Sequence, residues 1–466
     1  MARESWTSRL GFILAAVGSA VGLGNIWRFP WMTAENGGSA FLLLYLAIVI
    51  GVGVPGLLAE FVIGRRSGKS PVGALRSLSD SKHWGKVGLL TVLAGLVLLS
   101  FYSVVGGWIL RYTFASATGA YFGSPGAYFE GISYGMEAAG FHLLFLAITA
   151  GIVAGGIRGG IERATTIMMP VVVVMLVALA VWASTLSGAS RAYEFYLTFN
   201  WEFVQKNALD ILLSAAGQAL FTLSVGAGTM ITYASYIGED RSLPADGSII
   251  ALFNTGIGLL AGFVVLPLLF STPGVDPETS GPGALFVGVA TAFSELPAGR
   301  FLAVGFFAVV ALAALSSSIS MLEIPVAYLV DEHGVERKTA TAGLASLVLV
   351  TGTASAFSPE LFTLLSGTVV DVLLTTGLFA FVVYAAWVLG PRAVEEFQRG
   401  TSFSRGFADM WRLLIGAVLP PFLLFTLFTG LANYFGVDIG TTALAGAAIV
   451  ISLVVVAGVD RASSTT

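Results

Sequence analysis

The chain has 466 residues, 56% of them apolar and only 11% charged, with a formal net charge of −4 and no cysteine. The missing cysteines exclude disulfides, thiol nucleophiles and cysteine-metal centres, and no basic stripe offers a footprint for nucleic acid. So little charge also excludes a large soluble fold, and repeated apolar runs of about 20 residues mark a polytopic membrane protein.

Twelve membrane helices are predicted, starting near residues 10, 38, 87, 140, 163, 209, 247, 300, 339, 361, 410 and 440. Their even number puts both ends of the chain on one side. Arg65, Arg66, Lys69, Arg76, Lys82, Lys86, Arg158, Arg163, Arg241, Arg337, Lys338, Arg392, Arg399, Arg405 and Arg412 fall on that side, leaving chiefly Arg111, Arg191, Lys206 and Arg300 opposite. The positive-inside rule then makes both termini cytoplasmic. Met1 to Leu10 lacks the charged start and short apolar core of a cleaved signal, so the first helix is expected to be retained. His83, His142 and His333 are scattered, and no spacing puts two of them on one helix face for a metal.

The first helix contains GSAVGLGNIWRFPW, Gly18 to Trp31, in which three glycines, an asparagine, an arginine and a proline interrupt an apolar run. A break inside lipid frees backbone groups at a few kcal/mol each, so it survives only where protein, water or a ligand satisfies them. Close helix packing is an alternative account of the glycines. It does not account for Asn25 or Arg28, since an intramembrane arginine costs at least a few kcal/mol unless paired or hydrated.

A similar word, FTLSVGAGTMITYASY, recurs in the sixth helix. Interrupted helices at matching places in two halves point to a midplane binding site between inverted repeats. The fold class expected is therefore an all-α membrane protein with a single transmembrane domain over residues 1–466. Two inverted five-helix repeats span about 8–190 and 205–392, helices one and six are broken, and two extra helices occupy about 409–460. The eighth helix holds Ser316, Ser317 and Ser318 within ALAALSSSISMLEIP. Serines often bond back to their own helix; clustered with freed carbonyls they make an oxygen cage for a hard cation.

With GLGNIWRFP followed by ENGG, and with GQALFTLSVGAG, ITYASY, LFNT, GPGALFVGVATAFSELP, LSSSIS and Asp371, most of the chain resembles the neurotransmitter:sodium symporters. The resemblance implies sodium-coupled symport of an amino acid by alternating access across the plasma membrane, by a monomer or weak homodimer. One sodium ion would be held by Ala20, Asn25, Thr222 and Asn254, a second by Gly18, Val21, Ala313, Ser316 and Ser317. Substrate would meet Ala20, Gly22, Gly24, Leu98, Tyr102, Phe221, Ser224, Gly226, Ala227, Ser317 and Met321. Gly22 stands where amine-carrying members have an aspartate, which favours a substrate that brings its own carboxylate. No pocket residue is ionisable near neutral pH, so a neutral, hydrophobic side chain is expected; Ala227 replaces a phenylalanine and leaves room for a large aliphatic or aromatic group, unless Met321 refills it.

The same resemblance implies an outer gate of Arg28 and Asp371 and an inner gate of Arg3 and Asp331 beside Trp6 and Tyr236. Gly160 and Pro170 match a glycine and proline whose helix unwinds toward the second sodium; a simple proline kink is the alternative. Tyr45, Gln218, Thr222 and Asn254 would form most of a chloride site. Gly258, however, stands where members carry an acid or a serine, which leaves chloride use open. Glu60 and Glu323 are expected to brace backbone near the breaks. A substrate-gated channel or a non-transporting sensor on the same site is the rival reading. An intramembrane enzyme lacks a base near its candidate nucleophiles.

Overall fold

The computed structural model describes residues 5–79, 81, 83–238, 240–273 and 285–464, with side chains through residue 459. Every regular element among them is helical. The first span divides into α1 (Arg9–Ala20) and α2 (Gly24–Glu35), bent by 50° at the break. Then follow α3 (Ser39–Ser67), α4 (His83–Thr118), α5 (Met136–Ala154) and α6 (Ile157–Ala183). The sixth predicted helix is α7 (Trp201–Thr222) plus α8 (Thr229–Ala234). The remainder are α9 (Leu243–Ser271), α10 (Gly299–His333), α11 (Arg337–Phe357), α12 (Pro359–Leu389), α13 (Arg405–Phe435) and α14 (Thr441–Ser464).

Among the described residues, ten helices are long and apolar enough to cross a membrane, and α1 with α2 brings the number to eleven. The expected twelve is not reached on that criterion because of the sixth helix. Glu202, Lys206, Asn207 and Asp210 make the start of α7 polar, and its apolar end stops at the break. It also begins at Trp201 rather than near residue 209, because the Asn200 side chain accepts from the Phe203 N–H at 3.0 Å and caps the helix there.

Burial separates the inner helices from the outer ones. In α10 72% of the apolar window is buried, against 17% in α14, which places α10 at the centre and α14 toward lipid. The most extensive packing is α10 along α4. α1 lies against α6, α9 and α10, so the break that follows it faces the middle of the bundle.

Candidate substrate and ion site

At the break Val21 is extended, with φ −80° and ψ 109°, and the backbone groups released there all require partners. Gly22 N–H donates to Asn25 Oδ1 at 3.1 Å, and Leu23 N–H donates to the Tyr102 hydroxyl at 3.1 Å. Ser317 Oγ reaches the carbonyls of Ser19 and Val21 at 3.1 and 3.2 Å, and Gln218 Nε2 donates to Gly24 O at 2.7 Å. A cluster of side chains from α4, α7 and α10 thus replaces the lost helical bonds. Gly22 is required by close approach: a Cβ there would overlap Ser317 Oγ and come within 2.7 Å of the Tyr102 hydroxyl.

The sixth span breaks over residues 223–228, where Ser224, Gly226 and Gly228 have φ of 52°, 89° and 76°. Glycine tolerates this left-handed region and serine does so at a cost of about 1–2 kcal/mol. Glu60, fully buried on α3, accepts the N–H groups of Gly226 at 2.6 Å and Met230 at 3.2 Å, so it braces this break as expected. Glu323 does something different: it accepts the Tyr236 hydroxyl at 3.1 Å and a two-pronged pair from Arg337 at 2.7 and 2.8 Å. Its partners are side chains, because α10 is an unbroken helix there and has no free N–H to offer.

The four residues expected around the first sodium come together. One polar atom of the Asn254 carboxamide lies 2.9 Å from Asn25 Nδ2, 3.2 Å from Thr222 Oγ1 and 3.0 Å from the Ala20 carbonyl oxygen. So do the five expected around the second: Ser316 Oγ is 3.2 Å from Val21 O and 2.9 Å from Ala313 O, and Ser317 Oγ is 3.5 Å from Gly18 O. Both sets offer neutral oxygens, the ligands a hard cation takes, although Asn25 turns its Nδ2 toward Asn254 and its Oδ1 toward the Gly22 N–H.

Between them is a cavity of about 20 Å³, room for roughly one water molecule. Of the expected substrate residues, Ala20, Gly22, Gly24, Leu98, Tyr102, Phe221, Ser224, Ala227, Ser317 and Met321 line it. Gly226 does not; its Cα faces the backbone of Leu374 on α12, where a Cβ would collide with the Leu374 carbonyl. Ser320, Thr229 and Leu374 line the cavity and were not anticipated. Ser320 was readable, since it follows Ser316 by one helical turn on the same face.

Above this cavity lies a second of about 280 Å³, lined by Arg28, Asp371, Leu220 and residues of α12 and α13. The Arg28 guanidinium sits 5.1 Å from the centre of the Phe221 ring, and the two side chains separate the upper cavity from the lower. Arg28 and Asp371 share the upper cavity without forming a direct ion pair. On the opposite side, Trp6 Nε1 donates to Tyr233 O at 3.0 Å and the Trp6 ring packs edge-on against Tyr233 and Tyr236. Asp331 accepts the Ser70 N–H at 3.0 Å; Arg3 lies outside the described residues. The larger cavity thus stands on the Arg28 side, cut off from the lower one by Arg28 and Phe221, while Trp6 packs against Tyr233 and Tyr236 on the other side. α6 starts with a wide turn over Ile157–Glu162 and carries Pro170 inside it, so its Gly160 to Pro170 stretch is helical in this conformation.

Tyr45, Gln218, Thr222 and Asn254 also cluster, beside the first oxygen set. The Tyr45 hydroxyl neighbours the hydroxyls of Thr222 and Thr255. Tyr45 Oη, Thr255 Oγ1 and Gln218 Oε1 are buried without a hydrogen-bond partner. Thr255 was missed in the sequence because the residue expected to matter was one turn away, at Gly258. A Cβ at Gly258 would stand 3.7 Å from Asn25 Nδ2 and 3.6 Å from Phe29, in ordinary contact.

The family model for the sodium:neurotransmitter symporter family matches residues 3–122 and 131–459. A sodium-dependent transporter of Bacillus subtilis is 33% identical over 432 residues, covering 89% of this chain and 95% of that protein. The sodium-dependent dopamine transporter of Bos taurus is 27% identical, covering 93% of this chain and 69% of that one. Among solved structures, MhsT in complex with L-phenylalanine superposes with a TM-score of 0.82 at 36% identity, over 92% of this chain and 100% of that one. The chain belongs to the sodium:neurotransmitter symporter family, and so to the multi-pass, sodium-coupled secondary transporters rather than to enzymes.

Proposed function

We propose that the protein carries a neutral, hydrophobic amino acid, with a large aliphatic or aromatic side chain, together with two sodium ions into the cell by alternating access. The observation that carries this reading is the position of the two neutral oxygen sets on either side of the first-span break. Ala20 and Ser317 each belong to one set and also line the cavity between them. A substrate carboxylate beside Ala20, Gly22 and Asn25 completes a charge that the neutral ligands lack, and the Tyr102 hydroxyl stands next to it. Binding of ion and substrate then reinforce each other by linkage.

Hydrophobic selectivity is supported by the lining, where Leu98, Tyr102, Phe221, Ala227, Met321 and Leu374 supply apolar surface beside serine and threonine hydroxyls and no group carries charge. The phenylalanine bound by the related MhsT is of this class. The cavity, at about 20 Å³, requires Phe221 or Met321 to move aside before a large side chain enters. Alternating access over a channel is supported by closure on both sides of the lower cavity, Arg28 with Phe221 above and Trp6 with Tyr233 and Tyr236 on the other side. The two inverted repeats, with cytoplasmic termini and plasma-membrane placement, are part of the same reading.

Chloride is a further coupled ion in this proposal. Tyr45, Gln218, Thr222 and Asn254, with Thr255 adding a hydroxyl, would hold it next to the first sodium, where Gly258 supplies no acid. The experiment is a binding screen of the twenty amino acids on purified protein in sodium or potassium, with chloride and gluconate arms, followed by uptake into proteoliposomes under a sodium gradient. Tightest binding of aromatic and large aliphatic amino acids, in sodium only, and uphill uptake are expected. Binding that ignores sodium, or that favours a charged amino acid, sinks the reading.

A further inference from the structure

At the cation-rich ends of α12 and α13 lies a cavity of about 210 Å³, lined by Ala386 and Trp387 on one side and Asp409, Arg412, Leu413, Gly416 and Ala417 on the other. It is remote from the transport site and shares no residue with it. Four arginines surround the connection between these helices, and three have acceptors. Arg392 donates to the Val388 and Leu389 carbonyls at 3.1 and 3.4 Å; Arg399 pairs with Glu396 at 3.3 Å; Arg405 stands 4.0 Å from Asp409. Arg412 is half-buried against the cavity and has no acceptor among the described residues.

The depth of the cavity relative to the bilayer follows from its neighbours. Trp387, near the end of α12, donates its indole N–H to Gly416 O at 3.1 Å and marks the interfacial belt. Phe403, Phe407, Met410 and Leu413 form a stripe on the outer face of α13 and its approach, exposed by 46%, 41%, 58% and 66%. Such a stripe beside arginines is how a segment sits at the headgroup level with its apolar side in acyl chains. Arg412 thus faces a cavity at the depth where phosphates lie.

We propose that this cavity binds a phospholipid whose headgroup carries both a phosphate and a primary ammonium, as phosphatidylethanolamine does. Arg412 takes the phosphate, for which the planar guanidinium is suited. Asp409, one turn earlier on the same face, takes the ammonium; its contact with Arg405 is long and half-exposed, and a buried-side competitor is absent among the described residues. Positions three apart on a helix place their Cβ atoms about 5–6 Å from each other, commensurate with a phosphate and ammonium joined by two carbons. Ala386, Gly416 and Ala417 leave room for the glycerol, and Leu413 meets the chains. One cation and one anion in the lining favour this zwitterion over an anionic lipid, and the carboxylate favours a primary ammonium over bulky choline.

The test is native mass spectrometry of the full-length protein released from bilayers containing equal phosphatidylethanolamine, phosphatidylcholine and phosphatidylglycerol. Retention of phosphatidylethanolamine above the other two is expected. Asp409→Asn should lower its preference over phosphatidylcholine roughly two- to fivefold, the range of a part-exposed pair, and Arg412→Gln should lower retention of all three lipids. Sodium-dependent amino-acid binding by each variant shows that it is folded, so a failed variant is not mistaken for lost lipid binding. Equal retention of the three lipids, preferential retention of phosphatidylglycerol, or an unchanged preference in folded Asp409→Asn overturns the proposal.

Discussion

The Ser224 hydroxyl donates to the Ser19 carbonyl at 3.0 Å, so the interruption of the sixth span satisfies a backbone group released by the interruption of the first. Ser224 holds a left-handed φ of 52° to do so. Ser224→Ala loses the bond and keeps the strain, at about 1 kcal/mol for the bond. Ser224→Gly loses the same bond but relieves the backbone. Amino-acid binding should weaken about fivefold in Ser224→Ala, with a larger fall in melting temperature than Ser224→Gly shows. Identical melting temperatures for the two variants would mean that the strain is not real.

Gly22 carries the argument for an amino acid over an amine. A Cβ there meets Ser317 Oγ and the Tyr102 hydroxyl, both already bonded to the break. Gly22→Asp adds a carboxylate where the substrate's own is proposed to lie. Sodium-dependent amino-acid binding should be lost, with the protein still monodisperse in detergent. Retained binding in a radioligand assay would move the carboxylate elsewhere.

The broken helices and the meeting of serine hydroxyls with freed carbonyls were legible because a lipid solvent makes interrupted backbone and clustered hydroxyls expensive, so GSAVGLGN, SVGAG and SSS announce themselves. Contacts made by chain crossing were not. Thr255 and Leu374 look like ordinary helix residues, and only the packing of α9 and α12 brings them to the site. The direct Arg28 to Asp371 pair was expected from the family resemblance, but a resemblance does not fix which conformation is seen, and here a cavity admits both. The role of Glu323 was misjudged because Arg337, its partner, lies on the next helix at a distance no motif encodes.

Gly258 makes a prediction about anion dependence. A side chain there points toward Asn25 Nδ2 with space to enter. Gly258→Glu places a fixed negative charge by the proposed first sodium, at an interaction of about 4 kcal/mol for unit charges 4 Å apart at an effective dielectric of 20. Wild-type binding should fall when chloride is replaced by gluconate, and the variant should bind equally in both. Wild-type binding indifferent to chloride would remove the anion from the mechanism.

Ser316 and Ser317 offer a way to tell the proposed second sodium from the proposed substrate. Ser316 Oγ touches only Val21 O and Ala313 O, whereas Ser317 reaches the same break and also lines the substrate cavity. Removal of one neutral oxygen costs about 1 kcal/mol, or roughly fivefold in sodium half-saturation, in either alanine variant. By linkage, substrate affinity then falls in both when sodium is scarce. Saturating sodium should restore wild-type substrate affinity to Ser316→Ala, since its defect lies only in the ion, while Ser317→Ala should remain weakened. Paired sodium and amino-acid titrations measure this directly, and full rescue of both variants would place Ser317 outside the substrate's reach.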